Sequence, residues 1–177
     1  MKRLTSQNGW PVLLYGSDLL HTWTIPAKSG AFTIRLRNGS AGFLLAHFLL
    51  WFADTIEKVL GPQLDDWGHA VRPVRGQVTG YSNHASATAF DVNSLRHPLG
   101  KRGTYARWQY LRMRARLALY RGCIRLGIDY RNRPDEMHGE INKPLPACER
   151  VARRLIKTKR GRQILAANPG QRAVILS

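Results

Sequence analysis

The amino-acid sequence predicts an α+β fold, in which a small antiparallel sheet is flanked by helices. Residues 32–37 alternate apolar and basic side chains, which is typical of a strand with one face in water. Residues 41–60 are mostly apolar and indicate a buried helix. Residues 104–127 combine a broad apolar face with a row of arginines, which favours a long amphipathic helix.

The other elements follow along the chain. Residues 1–38 are rich in Gly, Pro, Ser and Thr, and we expect them to be irregular outside the strand at 32–37. The buried helix should end at Gly61 and Pro62, which do not continue a helix. Further short strands are predicted at 71–74, 89–93 and 138–142, with a helix end leading into a strand at 127–130. A final basic helix at 145–160 and a flexible basic tail at 161–177 complete the prediction.

Length and charge limit the class of protein. A chain of 177 residues with 44% hydrophobic residues is expected to form one domain, 1–177, with a hydrophobic core. Lys and Arg number 28 against 11 Asp and Glu, which gives a net charge of +17. Such an excess predicts a polyanionic partner, and nucleic acid, anionic lipid and phosphorylated bacterial wall polymers all qualify.

Two classes are disfavoured. The apolar run at 42–53 is shorter than the roughly twenty residues that a membrane span needs, and no signal peptide is predicted. Cys123 and Cys148 are too few for a disulfide framework, so we expect two free, partly buried thiols in a protein folded in a reducing cytoplasm.

One set of residues suggests chemistry. Ser-x-His-x6-Asp places His84 and Asp91 seven residues apart, and Asp-x-x-His places Asp135 three residues before His138. Two imidazoles and one carboxylate are a sufficient ligand set for a catalytic Zn²⁺ with an open position, and Asp135 can reach the same centre. The remaining histidines lack an acidic partner at this spacing or belong to a different loop, and are predicted to be structural: His21, His47, His69 and His97.

These motifs resemble the zinc D-Ala-D-Ala carboxypeptidase and L-alanyl-D-glutamate endopeptidase family. The wider chain is similar to the peptidase domain of actinobacterial phage endolysins, through residues 71–76, 96–100, 8–11 and 39–45 around the zinc motif. The similarity spans about residues 8–145. It departs from the family at Ala87, where the family usually has Gly, and a position that needs φ > 0 would make this substitution matter.

The resemblance implies a role for each residue. His84, Asp91 and His138 would bind one Zn²⁺ per chain, and Asp135 would be the catalytic base, with the adjacent Glu136 as the competing candidate. The guanidinium of Arg72 suits a substrate carboxylate or a tetrahedral oxyanion. Three further residues are candidates for substrate binding or for supporting the ligands: Ser82, Arg75 and Glu140. Ser82 can equally end a turn, and Glu140 can equally be a surface carboxylate.

The resemblance also implies the fold and the function. The fold would be DD-peptidase/Hedgehog-like, with the sheet carrying the zinc site. The protein would be a monomeric endolysin that cuts the L-Ala–D-Glu bond of peptidoglycan and is held on anionic wall polymers by its charge. It would be made in the host cytoplasm and would reach the wall through a holin. A D-Ala-D-Ala carboxypeptidase is the alternative within the family. A nucleic-acid-binding protein is the alternative outside it, with phosphates bound by residues 104–127 and 145–160, although the chain has no standard nucleic-acid motif and a stable nucleic-acid partner is not expected.

Overall fold

The computed structural model describes residues 4–59, 66–73 and 80–177, and these residues form the predicted α+β fold with small antiparallel sheets. Their strands and helices, in chain order, are β1 (Leu20–Ile25), β2 (Phe32–Arg37), α1 (Gly39–Thr55), β3 (Ala89–Asp91), α2 (Arg107–Leu117), β4 (Ile124–Leu126), β5 (His138–Ile141), α3 (Leu145–Leu155), α4 (Lys159–Ala167) and α5 (Gln171–Leu176). β1 pairs with β2, and the second sheet has the order β3–β5–β4.

Helix α1 is the centre of the core. Every residue from Gly39 to Ala53 is buried, and the helix contacts α3, α4, α5, β1 and β5. The ring of Phe48 in this helix stacks on Phe90 of β3, with ring centroids 6.0 Å apart, so the helix packs against the second sheet. The prediction of a buried helix is therefore confirmed, and its all-round apolar character reflects burial on every side.

The predicted end of α1 lies too far toward the C-terminus. The helix stops at Thr55, whose hydroxyl donates to the carbonyl of Trp51 at 2.6 Å. Such a bond competes with the backbone pattern of a helix. The predicted stop at Gly61 and Pro62 lies outside the described residues.

The β3–β5–β4 sheet separates a core face from a polar face. Phe90 and Gly139 point to the core, and a side chain on Gly139 would meet the Phe90 ring at 2.3 Å. The alternate residues Asp91, His138 and Glu140 share the other face, because side chains alternate along a strand. β5 confirms the last predicted strand, with His138 at its start.

The long helix predicted at 104–127 is wrong in its second half. α2 ends at Leu117 and is followed by a short 3-10 turn, and Arg121 and Gly122 then have φ of 50° and 76°. Two successive left-handed residues stop any right-handed helix. Residues 124–126 pair with β5 instead, and 127–129 form a 3-10 turn rather than a helix end.

The C-terminal predictions also need correction. The helix predicted at 145–160 ends at Leu155, and the side chain of Thr158 accepts from the backbone N–H of Gly161 to begin α4. The flexible tail predicted at 161–177 is wrong, since most of it lies in α4 and α5. Ile164 and Ile175 are buried there, and both helices pack on α1.

The N-terminal part is less irregular than predicted. Residues 32–37 form β2 as expected, but 20–25 form an unpredicted partner strand, with Trp23 and Ile25 pointing inward. The strand predicted at 71–74 is reduced to a bridge between Pro73 and Tyr81, and residue 74 lies outside the described ranges.

Two class-level expectations can be compared with the structure. Both cysteines are free and buried, as predicted. In the described ranges, no helix has the length and apolar content needed to cross a bilayer.

Candidate metal centre

The structure brings the three predicted ligands together. His84, Asp91 and His138 are all buried, and one ligand atom from each lies within 4.8 Å of the other two. Asp91 Oδ2 is 3.3 Å from His84 Nε2, and Asp91 Oδ1 is 2.7 Å from His138 Nδ1. This group can hold a metal ion.

Strand register places two of these ligands. Asp91, the last residue of β3, lies directly opposite His138, the first residue of β5. Directly opposed residues on one sheet face have close Cβ atoms, so a carboxylate and an imidazole meet without any loop rearrangement. The site is thus built on rigid backbone at the end of a three-stranded sheet.

The third ligand comes from a tight turn. His84 lies in a 3-10 turn at 83–86, and the hydroxyl of Ser82 accepts from its backbone N–H at 3.3 Å. Ser82 therefore caps the start of this turn, and it also lines the cleft. Ala87 closes the turn with φ 56° and ψ 32°. Ala87 therefore has the left-handed backbone that favours glycine, the residue expected here from the resemblance.

In each imidazole, the ring nitrogen that points away from Asp91 contacts an oxygen atom that orients the ring. His84 Nδ1 is 2.6 Å from the carbonyl of Gly68, and His138 Nε2 is 3.0 Å from the Glu140 carboxylate. Such contacts fix the tautomer and leave the other nitrogen for a metal. Those nitrogens, His84 Nε2 and His138 Nδ1, both face Asp91.

The surroundings of one buried nitrogen indicate whether a metal fits this site. His84 Nε2 is buried and makes no hydrogen bond to the described residues, although Asp91 Oδ2 lies 3.3 Å away as an ion-pair contact. An unsatisfied buried polar atom costs about 1–3 kcal/mol, so its position beside Asp91 requires an explanation. A cation bound between them supplies one, and the donor set of two imidazoles and one carboxylate matches a metal site.

Glu140 connects this centre to the rest of the fold. It is 2% exposed, so it is not a surface carboxylate. It accepts hydrogen bonds from Asn83 at 2.5 Å, from Tyr130 at 2.8 Å and from Arg125 at 2.8 Å. Although burial alone would raise it, the hydrogen bond with His138, together with those from Asn83 and Arg125, lowers the pKa of Glu140 to about 2. A charged carboxylate therefore anchors His138.

The neighbouring acids Asp135 and Glu136 have different surroundings. Asp135 lines the cleft, and its Oδ1 is buried and without a hydrogen-bond partner among the described residues. Burial, together with the nearby charge of Asp91, raises the pKa of Asp135. Glu136 instead accepts from the backbone N–H groups of Gly103 and Thr104 at 2.7 and 2.8 Å. Burial alone would raise the pKa of Glu136, but the hydrogen bonds from Thr104 and Gly103 lower it. The Glu136 carboxylate therefore stabilises the loop that contains these two residues.

Arginine and apolar groups complete the cleft. Arg72 Nη2 lies 3.7 Å from Asp91 Oδ2, and the side chain is about one-third exposed at 36%. It borders both a polar lobe of about 320 Å³ and an apolar lobe of about 420 Å³. The polar lobe is lined by Arg125, Tyr130, Arg133 and Asp135, among others. The apolar lobe is lined by Trp67, Ala70, Pro98, Leu99 and Met137, among others. The other predicted arginine, Arg75, lies outside the described residues.

Two of the remaining histidines, His97 and His47, have the structural surroundings predicted for them, whereas His69 contacts the Leu13 carbonyl through Nε2 at 2.8 Å and its buried Nδ1 makes no hydrogen bond to the described residues. His97 stacks on Tyr105, with ring centroids 3.7 Å apart, and hydrogen-bonds to Thr104. His47 is buried against Tyr120, and burial lowers the pKa of His47 to about 3.

Sequence analysis missed several contributors to the site. The Gly68 carbonyl carries no sequence signal at all. Asn83 stands inside the Ser-x-His motif and was the most detectable. Tyr130 and Arg125 reach the site only through the β4–β5 pairing and the turn that follows β4.

Comparison with known proteins adds no assignment. The chain matches no family model, no curated protein sequence and no solved structure.

Proposed function

We propose that this protein is a zinc-dependent endopeptidase of DD-peptidase/Hedgehog-like fold that cuts the L-Ala–D-Glu bond of the peptidoglycan stem peptide. Its role would be that of a phage endolysin, released to the wall through a holin. One observation carries the proposal. Two buried polar atoms that make no hydrogen bond to the described residues, His84 Nε2 and Asp135 Oδ1, belong to one cleft that also holds Asp91 and His138. A hydrolytic metal centre needs this combination of ligands and a nearby base.

Zinc is the metal that best suits the donors. Two imidazoles and a carboxylate, with room for a further ligand, match catalytic zinc sites, and the Gly68 and Glu140 contacts match the supporting shell of such sites. When bound by His84, Asp91 and His138, Zn²⁺ supplies a Lewis acid that activates water and polarises a carbonyl at neutral pH.

The protein side chains perform the proton transfers. Asp135 is the general base that takes a proton from the attacking water, and it returns this proton to the leaving nitrogen. Its raised pKa suits the first step, because a carboxylate that binds a proton more readily is a better acceptor. Arg72 supplies a guanidinium for the developing oxyanion beside the metal ligands.

The two lobes of the cleft give the substrate a direction. Asp135 lines the polar lobe, so the amine side of the scissile bond belongs there, beside Arg125 and Arg133. The acyl side then lies in the apolar lobe, against Trp67 and Leu99. An apolar acyl residue followed by an acidic residue is the order of L-Ala and D-Glu.

Surface charge is the proposed means of attachment to the wall. With +17 on the chain, the attraction to anionic wall polymers should be screened beyond about 8 Å at physiological ionic strength. Lysis of whole walls should therefore fall steeply with added salt, whereas cleavage of a small soluble stem peptide should change little. Equal salt sensitivity of the two substrates would contradict this attachment.

Mass spectrometry of fragments released from purified peptidoglycan tests the cleavage itself. We expect stem peptides with a new amino group on glutamate, and none from an Asp135→Asn variant. Release of free D-Ala alone would assign the carboxypeptidase reaction instead. Unchanged peptidoglycan with zinc-loaded protein would contradict a wall hydrolase.

A further inference from the structure

We propose that the outer face of α2 binds a bilayer that contains anionic phospholipid. Trp108 and Leu111 on this helix are 51% and 53% exposed. With about 3.6 residues per turn, these two residues and Ala115 form one continuous strip. Adjacent exposed apolar side chains on a surface helix form a candidate interaction site.

The charges beside this strip define the partner. Arg107 and Arg112 are exposed on opposite sides of it, and neither forms an ion pair with any residue in the described ranges. Arg114 differs, because it is paired with Asp129 at 2.6 Å. The outer face therefore presents an apolar centre between two uncompensated cations.

The buried side of α2 shows that this face is not simply an incomplete core. Met113 is buried, and Arg116 lies over the rings of Trp51 and Tyr120 at 5.3 and 5.8 Å. The helix is thus already anchored to the protein through the opposite side. Trp108 and Leu111 remain outside this packing.

Charge complementarity selects an anionic bilayer over other occupants. A second copy of the chain would bring Arg107 and Arg112 against like charges. A wall polymer or a nucleic acid would pair with the arginines but would leave Leu111 in water. A bilayer interface offers anionic headgroups and, within a few ångströms, an apolar layer for Trp and Leu side chains.

Vesicle partitioning with the full-length protein tests the proposal. We expect binding to vesicles of phosphatidylglycerol mixed with phosphatidylcholine, and at least ten-fold weaker binding to phosphatidylcholine alone. Replacing Arg107 and Arg112 together by Gln should weaken partitioning roughly 25-fold at low salt, since each cation contributes a factor of about five near an anionic surface. Replacing Trp108 by Ala and Leu111 by Ser should weaken it at least ten-fold at any salt concentration.

The matched control is Leu14→Ser, because Leu14 is 70% exposed but lies outside α2. It should partition like the wild type. Trp108→Phe should retain most of the binding but lose the blue shift of tryptophan emission on vesicles, which identifies the inserted ring among the five tryptophans. An unchanged blue shift, equal binding to neutral vesicles, or an equal loss for Leu14→Ser would overturn the proposal. Tighter Trp108-dependent binding to single-stranded DNA than to vesicles would also overturn it and assign the face to nucleic acid.

Discussion

Two buried clusters in this protein contain the same kinds of side chain but differ in how completely they are satisfied. The first is the metal centre, with His84, Asp91, His138 and Asp135. The second, the loop cluster, consists of Glu57, Asn93, His97, Thr104 and Glu136. In the loop cluster His97 contacts Thr104 at 2.7 Å and Glu57 at 3.3 Å, so both of its ring nitrogens have partners.

Among the described residues, the candidate metal centre leaves Asp135 Oδ1 without a hydrogen bond and His84 Nε2 with only an ion-pair contact to Asp91 Oδ2 at 3.3 Å, whereas no buried side-chain atom of the loop cluster lacks a hydrogen bond. Buried polar groups are nearly always paired in folded proteins. Histidine and carboxylate content therefore does not distinguish a functional site from a structural one here. Buried polar atoms that line a cleft and lack a hydrogen bond do distinguish the two sites. Five predictions test this difference.

The largest difference should come from removing one histidine from each cluster. His138→Ala should abolish zinc binding and reduce peptidase activity to background, since it deletes a ligand from the metal centre. His97→Ala should keep one zinc per chain and lower only the free energy of unfolding, by roughly 1–3 kcal/mol for the hydrogen bonds it breaks. Elemental analysis and chemical denaturation distinguish the two. Equal zinc content in both variants would contradict the assignment.

Substitutions of the adjacent acids Asp135 and Glu136 should also have different effects. Asp135→Asn should keep zinc and lose about 10²–10⁴-fold in turnover, because the amide cannot accept the proton. Glu136→Gln should keep turnover and lose roughly 1–3 kcal/mol of stability, because the charged acceptor for Gly103 and Thr104 is gone. Stem-peptide kinetics and thermal melting measure both. An active Asp135→Asn with an inactive, folded Glu136→Gln would reverse the assignment of the base.

The support given by Glu140 should be visible in metal affinity. Glu140→Gln weakens the orientation and basicity of His138, and we expect a 10–100-fold loss of zinc affinity in a competition assay with a chelator. A control is Asp129→Asn, which removes a surface carboxylate paired with Arg114 and should leave the affinity unchanged. Wild-type affinity in Glu140→Gln would show that His138 is oriented by its strand alone.

Zinc affinity should rise with pH. Burial alone would lower it, but hydrogen bonds to Asp91 and Glu140 raise the pKa of His138 above its ordinary value in the metal-free protein. A metal must therefore displace a proton from His138, and apparent affinity should increase about ten-fold per unit between roughly pH 6 and 8. Calorimetry in buffers of different ionisation enthalpy should show one proton released. A flat affinity over this range would mean that His138 is already neutral.

The smallest effect concerns two left-handed residues, Ala87 at the metal centre and Asn93 in the loop cluster, with φ of 56° and 53°. Ala87→Gly should stabilise the fold by up to about 1 kcal/mol, because alanine is strained in this region. Asn93→Gly should destabilise it, because the Asn93 amide hydrogen-bonds to Glu57 and to the Lys58 carbonyl. Urea unfolding measures both, and a destabilised Ala87→Gly would show that the turn at 83–86 is unstrained.

The candidate ligand set can be predicted from the sequence because the chemistry is local at each half of the motif. His84 and Asp91 are seven residues apart, and Asp135 is three residues from His138. What joins the halves is not local. The pairing of Asp91 with His138 is a property of strand register, and the Gly68 carbonyl reaches His84 only after folding.

The errors in the fold prediction arise from backbone conformation and tertiary packing, neither of which is visible in the local pattern of apolar residues. The helical pattern of 104–127 continues smoothly past Leu117, and only the left-handed backbone at Arg121 and Gly122 interrupts it. The tail was predicted to be flexible because 161–177 shows only a weak periodic pattern of apolar residues. Ile164 and Ile175 are nevertheless enough to fix it, because α1 offers them an apolar surface on every side.

The most direct test of the metal centre is anomalous X-ray scattering at the zinc edge from crystals of the protein purified without added metal. The account predicts one peak per chain, in contact with His84 Nε2, the Asp91 carboxylate and His138 Nδ1, with Asp135 facing it. A peak at His97 and Glu57, or no peak after zinc is supplied, would contradict it.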